Sequence, residues 1–242
     1  MKNPKWHRDE IILALALYFD DNLGSIDAKN PQIIDLSKLL NKLPIFLLKP
    51  NEEKFRNPNG VTLKLSNFKA IDKNYLGKGM QSYSKLDKEV FEEFVINKEK
   101  LKAIASEIRK TIENPILAAN ISKIEEDENS EIDAVKEGQV LYKLHKVRER
   151  DKKIVTAKKQ QVLKEKGVLR CEACGFDFKK TYGDLGEGFI ECHHLTPLSN
   201  FISAKETTLE DLALLCSNCH RMIHKDLSIS SINQFRTRLN GI

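Results

Sequence analysis

The sequence predicts an α+β protein in which a mainly helical N-terminal α+β domain precedes a small module rich in cysteine and histidine. Apolar residues recur at helical spacing through much of the first 120 residues. Short apolar runs at 188–192 and 211–216 predict two strands, and all five cysteines follow residue 170. An apolar fraction of 40% suffices for a core, and the length allows one or two domains.

The N-terminal domain is predicted to contain four helices, at 6–20, from Pro31 onward, at 86–97, and at 99–113 with an end near Asn114-Pro115. The first is apolar nearly all round, which is typical of a buried helix. Asn30 and Pro31 form a start signal, because asparagine caps a helix and proline fits its first turn.

A turn and a strand are predicted in the stretch FRNPNGVTLKLSNF. Pro58-Asn59-Gly60 has the residue types of a turn. Residues 61–65 alternate between apolar and polar, which predicts a half-buried strand.

Charge divides the rest of the chain. Residues 121–138 hold seven acids against two lysines, which predicts a solvated acidic linker. Residues 139–170 hold eleven Lys or Arg against three acids and few helix breakers, which predicts one long basic helix. The predicted domains are therefore 1–120, the linker 121–138, the basic helix 139–170 and the C-terminal module 171–242. The net charge of +5 is compatible with a nucleic-acid partner.

The apolar run from Ile11 to Phe19 is too short to span a bilayer, and acidic residues flank it. No small-residue cleavage site follows it, so we expect no membrane segment, no signal peptide and a cytoplasmic location. In that compartment cysteines serve as metal ligands or free thiols more often than as disulfides.

Two C-x-x-C pairs, Cys171 with Cys174 and Cys216 with Cys219, predict a structural zinc site, because zinc favours four thiolates in a tetrahedron. The alternatives are buried free thiols or a redox pair. Cys216, Cys219 and His220 also fit the pattern of c-type haem attachment, but that class of protein is normally exported.

Four histidines remain in the module: His193, His194, His220 and His224. Adjacent residues of a strand point to opposite sides, so His193 and His194 can take different roles, one as a metal ligand and one as a base. His220 and His224 lie four apart and share one face of a predicted helix. The alternative is an inactive zinc ribbon in which the histidines only pack.

The motifs C-x-x-C, ECHHLTPLS and DLALLCSNCHRMIH, in this order, resemble the HNH (ββα-metal) endonucleases, in the subgroup of McrA-like modification-dependent (type IV) restriction enzymes. The resemblance covers 171–225 and extends upstream into LHKVRERDKK. It implies a ββα-metal module on a four-cysteine zinc site, which hydrolyses phosphodiester bonds of DNA in restriction or antiviral defence.

The resemblance implies roles for five residues. His194 would be the general base, while His193 and His220 would bind the catalytic divalent ion and His224 would complete the site. Asp211 stands where many members have asparagine, and it would tie the loop that orients the base. The implied cofactors are a structural Zn²⁺ and a catalytic Mg²⁺ or another divalent ion such as Mn²⁺ or Ni²⁺.

Basic residues beside the module are the predicted phosphate contacts, with a solvated helix face as the alternative: Arg148, Arg150, Lys152, Lys153 and Arg221. His145 and the trio 148–150 are similar to the same family, but no catalytic role is assigned to them.

Sequence recognition is expected in the N-terminal domain, because the module has little surface for reading bases. Arg56, Asn57 and Asn59 could contact base edges or phosphates, and ordinary turn chemistry is an equal alternative. The resemblance implies modified DNA as the target.

Cutting both strands with a single-site nuclease favours a homodimer. Two other functions stay open: a non-catalytic zinc-ribbon DNA-binding protein, and a homing or repair nuclease that ignores modification.

Overall fold

The computed structural model describes residues 2–46, 49, 51–77, 82–124, 138–149, 151–195, 208–225, 229 and 231–240. Most of the predicted acidic linker, at 125–137, lies outside these residues. The chain divides into two compact units. The first comprises Met1–Glu125, Ala134–Leu141 and Ile202–Ala204, and the second comprises Glu126–Asp133, Tyr142–Phe201 and Lys205–Ile242. Within the described residues, no helix combines the length and apolar character needed to cross a membrane.

The first unit is built from six described helices and one short 3-10 turn. The helices are α1 (Arg8–Tyr18), α2 (Pro31–Lys42), α3 (Pro58–Ile71), α4 (Lys85–Phe94), α5 (Lys98–Glu113) and α6 (Pro115–Ser122), and the 3-10 turn is Glu52–Lys54. Helix α1 packs against α2, α3, α4 and α5. This central position explains why its sequence is apolar nearly all round.

The start of α2 is confirmed. Asn30 is the N-cap and its side chain accepts the amide hydrogen of Gln32 at 2.8 Å, with Pro31 in the first turn. The predicted helices at 86–97 and 99–113 correspond to α4 and α5.

The predicted turn and strand at 58–65 are wrong, because this stretch is the start of α3. The Asn57 side chain caps the helix by accepting the Gly60 amide hydrogen at 2.9 Å. Val61, Leu65 and Phe68 are buried at helical spacing, whereas Leu63 is 53% exposed. The period of burial is therefore that of a helix and not that of a strand.

Arg56, predicted on a surface turn, lies in the interior of the first unit. Its Nε and Nη2 donate to the two carboxylate oxygens of Glu10, at 2.6 and 2.8 Å. Nη1 donates to the carbonyl of Pro4 and Nη2 to that of Lys5. The guanidinium also lies 4.8 Å from the Trp6 ring centre.

The second unit contains two antiparallel strands and four described helices, and it takes in most of a fifth helix that begins in the first unit. The strands are β1 (Glu191–His194) and β2 (Leu212–Leu215), and the helices are α7 (Gln139–Glu149), α8 (Lys152–Lys166), α9 (Phe178–Tyr182), α10 (Ser217–His224) and α11 (Ile232–Asn240). Short 3-10 turns lie at Gly183–Gly186 and Leu209–Asp211. In the strand pair, His193 lies opposite Ala213 and His194 opposite Leu212.

The long basic helix predicted at 139–170 is two helices, α7 and α8. Asp151 separates them, because its side chain accepts the Lys153 amide hydrogen at 2.9 Å and so caps α8. Arg150 lies outside the described residues. Gly167 ends α8 in a left-handed conformation, with φ of 70°.

A small apolar core holds the second unit together. Val162 of α8, Leu214 of β2, Ile223 of α10 and Phe235 of α11 are buried in one cluster, which also includes Cys192. Burial raises the pKa of the Cys192 thiol to about 12, so this residue stays a thiol and packs as a small apolar group.

Candidate metal centre and active site

Four cysteines gather at one point of the second unit. The sulfur atoms of Cys171, Cys174, Cys216 and Cys219 all lie within 4.8 Å of one another. The first pair lies on the turn that follows α8, and the second lies at the start of α10. Glu172 joins the first turn to β2, because its amide donates to the Leu214 carbonyl at 2.8 Å.

The four sulfurs fit a zinc ion. Sulfur atoms about 2.3 Å from a tetrahedral zinc lie about 3.8 Å apart, and Cys174 Sγ lies 3.8 Å from Cys216 Sγ. In each pair the first sulfur accepts the amide hydrogen of the second cysteine, at 3.5 Å. Burial favours the thiol form of Cys171, but amide groups, including that of Cys174, hold its pKa below the usual value. Thiolate is the form that binds zinc.

A second cluster lies in the same unit and brings together His145, Glu149, His193 and His224, whose ligand atoms are also within 4.8 Å of one another. Oε1 of Glu149 is its centre. It lies 2.9 Å from His145 Nε2, 3.1 Å from His193 Nδ1 and 3.6 Å from His224 Nε2.

His220 extends this cluster. Its Nε2 lies 3.2 Å from Glu149 Oε1 and 3.1 Å from His224 Nε2. Its Nδ1 lies 2.5 Å from Glu191 Oε2, and Glu191 also accepts from the Ser217 hydroxyl at 2.6 Å. A carboxylate on one ring nitrogen of a histidine orients the other nitrogen toward a metal.

The charges around His220 favour a cation at this position. Burial lowers the pKa of His220, but the carboxylates of Glu149 and Glu191 outweigh it and raise the pKa to about 9. Burial likewise disfavours the charged form of Glu149, yet His145, His193 and His220 hold its pKa well below the usual value. The histidines therefore favour the ionised form of Glu149, and the carboxylates of Glu149 and Glu191 favour a positive charge at His220.

His194 differs from its neighbours in the cluster. Its backbone amide lies 3.3 Å from Glu149 Oε1, but neither of its buried ring nitrogens has a hydrogen-bond partner among the described residues. Burial lowers the pKa of His194 to about 4. The ring is therefore neutral near pH 7.

Asp211 ends the 3-10 turn Leu209–Asp211 and directly precedes β2. Its carboxylate accepts from the amide and hydroxyl of Thr208, at 2.9 and 2.8 Å. Its carbonyl accepts the amide hydrogen of Leu195, the residue after His194, at 2.9 Å. Asp211 thus contacts both Leu195 and Thr208.

The second cluster fits a divalent ion. Ligand atoms about 2.1 Å from a common ion lie about 3.0–3.4 Å apart in octahedral or tetrahedral geometry. The separations between Glu149 Oε1 and the imidazole nitrogens of His145, His193 and His220 span 2.9 to 3.2 Å, and that to His224 is 3.6 Å. Imidazole and carboxylate together suit Mn²⁺, Ni²⁺ and Zn²⁺.

Residues 171–226 contain all members of both clusters except His145 and Glu149, which lie on α7. Residues 171–226 match the HNH endonuclease family model. This HNH domain contains all four clustered cysteines and the histidines of β1 and α10, and it supports a nuclease that acts on DNA. Comparison of the chain with curated proteins and with solved structures found no match.

Two residues of the cluster are missed by reasoning from sequence. His145 and Glu149 lie on α7, before the HNH domain, and the sequence assigns a catalytic role to neither. Their spacing of four residues places them on one helix face, and that is the available signal. The lysine and arginine residues around them obscure this signal, because such a composition also fits an exposed basic helix.

The predicted DNA contacts have different environments. Lys152, Lys153 and Arg221 are exposed, Arg148 is half-buried, and Arg150 lies outside the described residues. In the first unit, Arg56 is buried, Asn57 caps α3, and Asn59 is exposed. Of the three N-terminal candidates, Asn59 therefore offers its side chain most openly to solvent.

Proposed function

We propose that the protein is a DNA endonuclease that hydrolyses phosphodiester bonds at a single divalent ion in its HNH domain. One observation carries the proposal. The imidazoles of His193, His220 and His224 converge beside His194, whose ring nitrogens have no partner among the described residues. A ligand set next to a neutral imidazole is what metal-assisted hydrolysis requires.

His194 is the proposed general base, which accepts a proton from the attacking water. Its neutral ring supports this role. Asp211 is a proposed positioning residue, because its carbonyl accepts from the amide of Leu195, the residue after His194, and its carboxylate accepts from Thr208. A bound divalent ion would supply the positive charge that stabilises the leaving oxygen.

His193, His220 and His224 would hold that ion, which we propose to be Mg²⁺, Mn²⁺ or Ni²⁺. The four cysteines would hold a structural Zn²⁺. Thiols stay reduced in the cytoplasm, the proposed location, and remain available to bind it.

Positive side chains near the HNH domain are the proposed phosphate contacts. Lys152 and Lys153 open α8, and Arg221 follows His220 on α10, all three exposed. Arg148, near the end of α7, and Arg150, which lies outside the described residues, are proposed to act with them. Each phosphate contact should make DNA binding more sensitive to salt.

Restriction of modified DNA is the more specific proposal. In it, residues 1–120 recognise the DNA, 121–138 act as a linker, and 139–170 join them to the nuclease domain 171–242. The separate helical unit supports a division of labour between recognition and cutting. A homodimer on DNA would supply two active sites for cutting both strands.

The catalytic proposal is tested by DNA cleavage with wild type and His194→Ala in the presence of Mg²⁺, Mn²⁺ or Ni²⁺. We expect metal-dependent nicking or cutting by wild type, and a loss of about 100-fold or more in the variant. Absence of cleavage by wild type with every ion, alongside retained DNA binding, would instead indicate the zinc-ribbon binding protein.

The modification proposal is tested by comparing methylated, hydroxymethylated, phosphorothioated and plain DNA of one sequence. We expect one modified substrate to be cut faster than the plain one. Equal cutting of all four would leave a nuclease of homing or repair type.

A further inference from the structure

We infer that Glu149 is a direct ligand of the catalytic divalent ion, and that His145 binds the same ion from the same face of α7. The inference rests on the proposed function, since it concerns the same metal site. It extends the ligand set beyond the HNH domain, to a helix that the family match does not include.

Helix geometry places the two side chains together. His145 and Glu149 lie one turn apart on α7, and His145 Nε2 is 2.9 Å from Glu149 Oε1. His220 and His224 are related in the same way on α10, and their Nε2 atoms are 3.1 Å apart. The two helical pairs face each other, with His193 of β1 between them.

Hydrogen bonding alone does not account for the contacts of Glu149 Oε1. A carboxylate oxygen has about two lone-pair positions. Here one oxygen has four nitrogen atoms within 3.3 Å: three imidazole nitrogens and the amide nitrogen of His194. An ion bound by the oxygen and by the imidazole nitrogens would use their lone pairs together.

Burial adds a second argument. The Glu149 side chain is 6% exposed and that of His145 is 5% exposed. A carboxylate at such a position is stabilised by positive charge beside it, which a protonated His220 or a bound cation would supply. Imidazoles that bind a metal are neutral, so the ion itself would be the charge that balances Glu149.

Glu191 supports the same geometry from outside. Because it contacts Nδ1 of His220, it directs Nε2 of that ring toward Glu149 Oε1. With one carboxylate among its ligands, a divalent ion would keep one unit of net positive charge for the phosphate. Helix α7 would therefore be part of the catalytic centre as well as a carrier of DNA contacts.

The test is binding of Co²⁺ to the zinc-loaded full chain in the absence of DNA, measured by calorimetry and by visible absorption. Glu149→Gln keeps the size of the side chain and removes its charge. We expect its affinity for Co²⁺ to fall at least tenfold, and its visible spectrum at saturation to differ from that of wild type. The matched control is Glu165→Gln on the exposed face of α8, which should leave both unchanged.

Zinc content and circular dichroism of each variant show whether the fold is kept. If Glu149→Gln loses its zinc, the variant His145→Gln is used for the test instead. Pulsed EPR of Mn²⁺ bound to His145→Gln should then detect one coordinated imidazole fewer than in wild type. Wild-type affinity in the variant overturns the inference. So does weaker binding with an unchanged spectrum, because that would make Glu149 a positioning residue.

The outcome is independent of the nuclease proposal. Binding of Co²⁺ that depends on Glu149, in a protein that cuts no DNA, would support the ligand assignment and contradict the proposed function. Cleavage by wild type together with unchanged Co²⁺ binding in Glu149→Gln would support the nuclease and overturn the ligand assignment.

Discussion

The two units of the chain rely on different interactions. Among the described residues, the largest fully buried side chains, such as Phe55, Phe68 and Phe94, all lie between residues 11 and 108 in the first unit. The first unit also buries two ion pairs, Arg56 with Glu10 and Lys64 with Asp87. Its helices are therefore held by an apolar core and by charge pairs inside it.

Among the described residues, the second unit has a smaller core, and cysteines form part of it. Two strands of four residues each cannot stabilise such a unit alone. A zinc ion held by the four cysteines would take the place of a large core. The proposed zinc would therefore stabilise the unit that carries the candidate active site, whereas the first unit is stabilised by its own apolar core.

Removal of zinc should produce the largest difference in stability between the two units. A structural zinc can contribute about 10 kcal/mol to folding, more than any single core side chain. We expect chelation, or the variant Cys171→Ser, to unfold the second unit and leave the first folded. Trp6, the single tryptophan, lies in the first unit, so its fluorescence reports that unit alone.

The expected result is unchanged Trp6 emission together with rapid proteolysis after residue 150. A shift of Trp6 emission at the same chelator concentration would contradict the independent stability of the first unit. Persistence of a folded, zinc-loaded Cys171→Ser variant would contradict the four-cysteine site.

Replacement of Arg56 should have the next largest effect on stability, and this effect should be on the first unit. Arg56→Met leaves the carboxylate of Glu10 buried without its partner, which should lower the free energy of unfolding by about 3–5 kcal/mol. Urea unfolding followed by Trp6 fluorescence measures it. The control is Lys85→Met, because Lys85 and Glu89 form an exposed pair.

Zinc content should not change in either variant. If Arg56→Met keeps full stability but loses DNA binding, then Arg56 is a DNA contact and does not stabilise the first unit.

Loss of the α3 cap should have the smallest effect. Asn57→Ala removes the side chain that accepts the Gly60 amide hydrogen, which should cost about 1 kcal/mol. Thermal unfolding checks it, with Asn59→Ala as the exposed control in the first turn. Equal stability of the two variants would show that the cap contributes nothing measurable.

Helix starts illustrate what sequence can predict. Asn followed by Pro occurs at 3–4, 30–31, 57–58 and 114–115, and the last three of these asparagines cap helices. The pair at 30–31 predicts its helix correctly. The alternation at 61–65 hides the helix start at 57–58, and the pair at 114–115 is interpreted as a helix end. Buried Lys64, paired with Asp87, explains the misleading pattern, because its polar side chain lies on the inner face of α3.

In the candidate site, local spacing predicts the members that share a short motif. The four cysteines form one cluster, and His193 of β1 contacts His220 and His224 of α10. Glu149 cannot be found this way. It lies 44 residues from His193 and 71 from His220, and nothing local indicates that α7 faces them.

The central claim is that the second unit holds a structural metal and a separate catalytic site. The direct measurement is zinc content and DNA cleavage, side by side, in wild type, His194→Ala and Cys171→Ser. We predict that His194→Ala keeps its zinc and loses cleavage, whereas Cys171→Ser loses both. Full cleavage by His194→Ala, or by a Cys171→Ser protein without zinc, would contradict the claim.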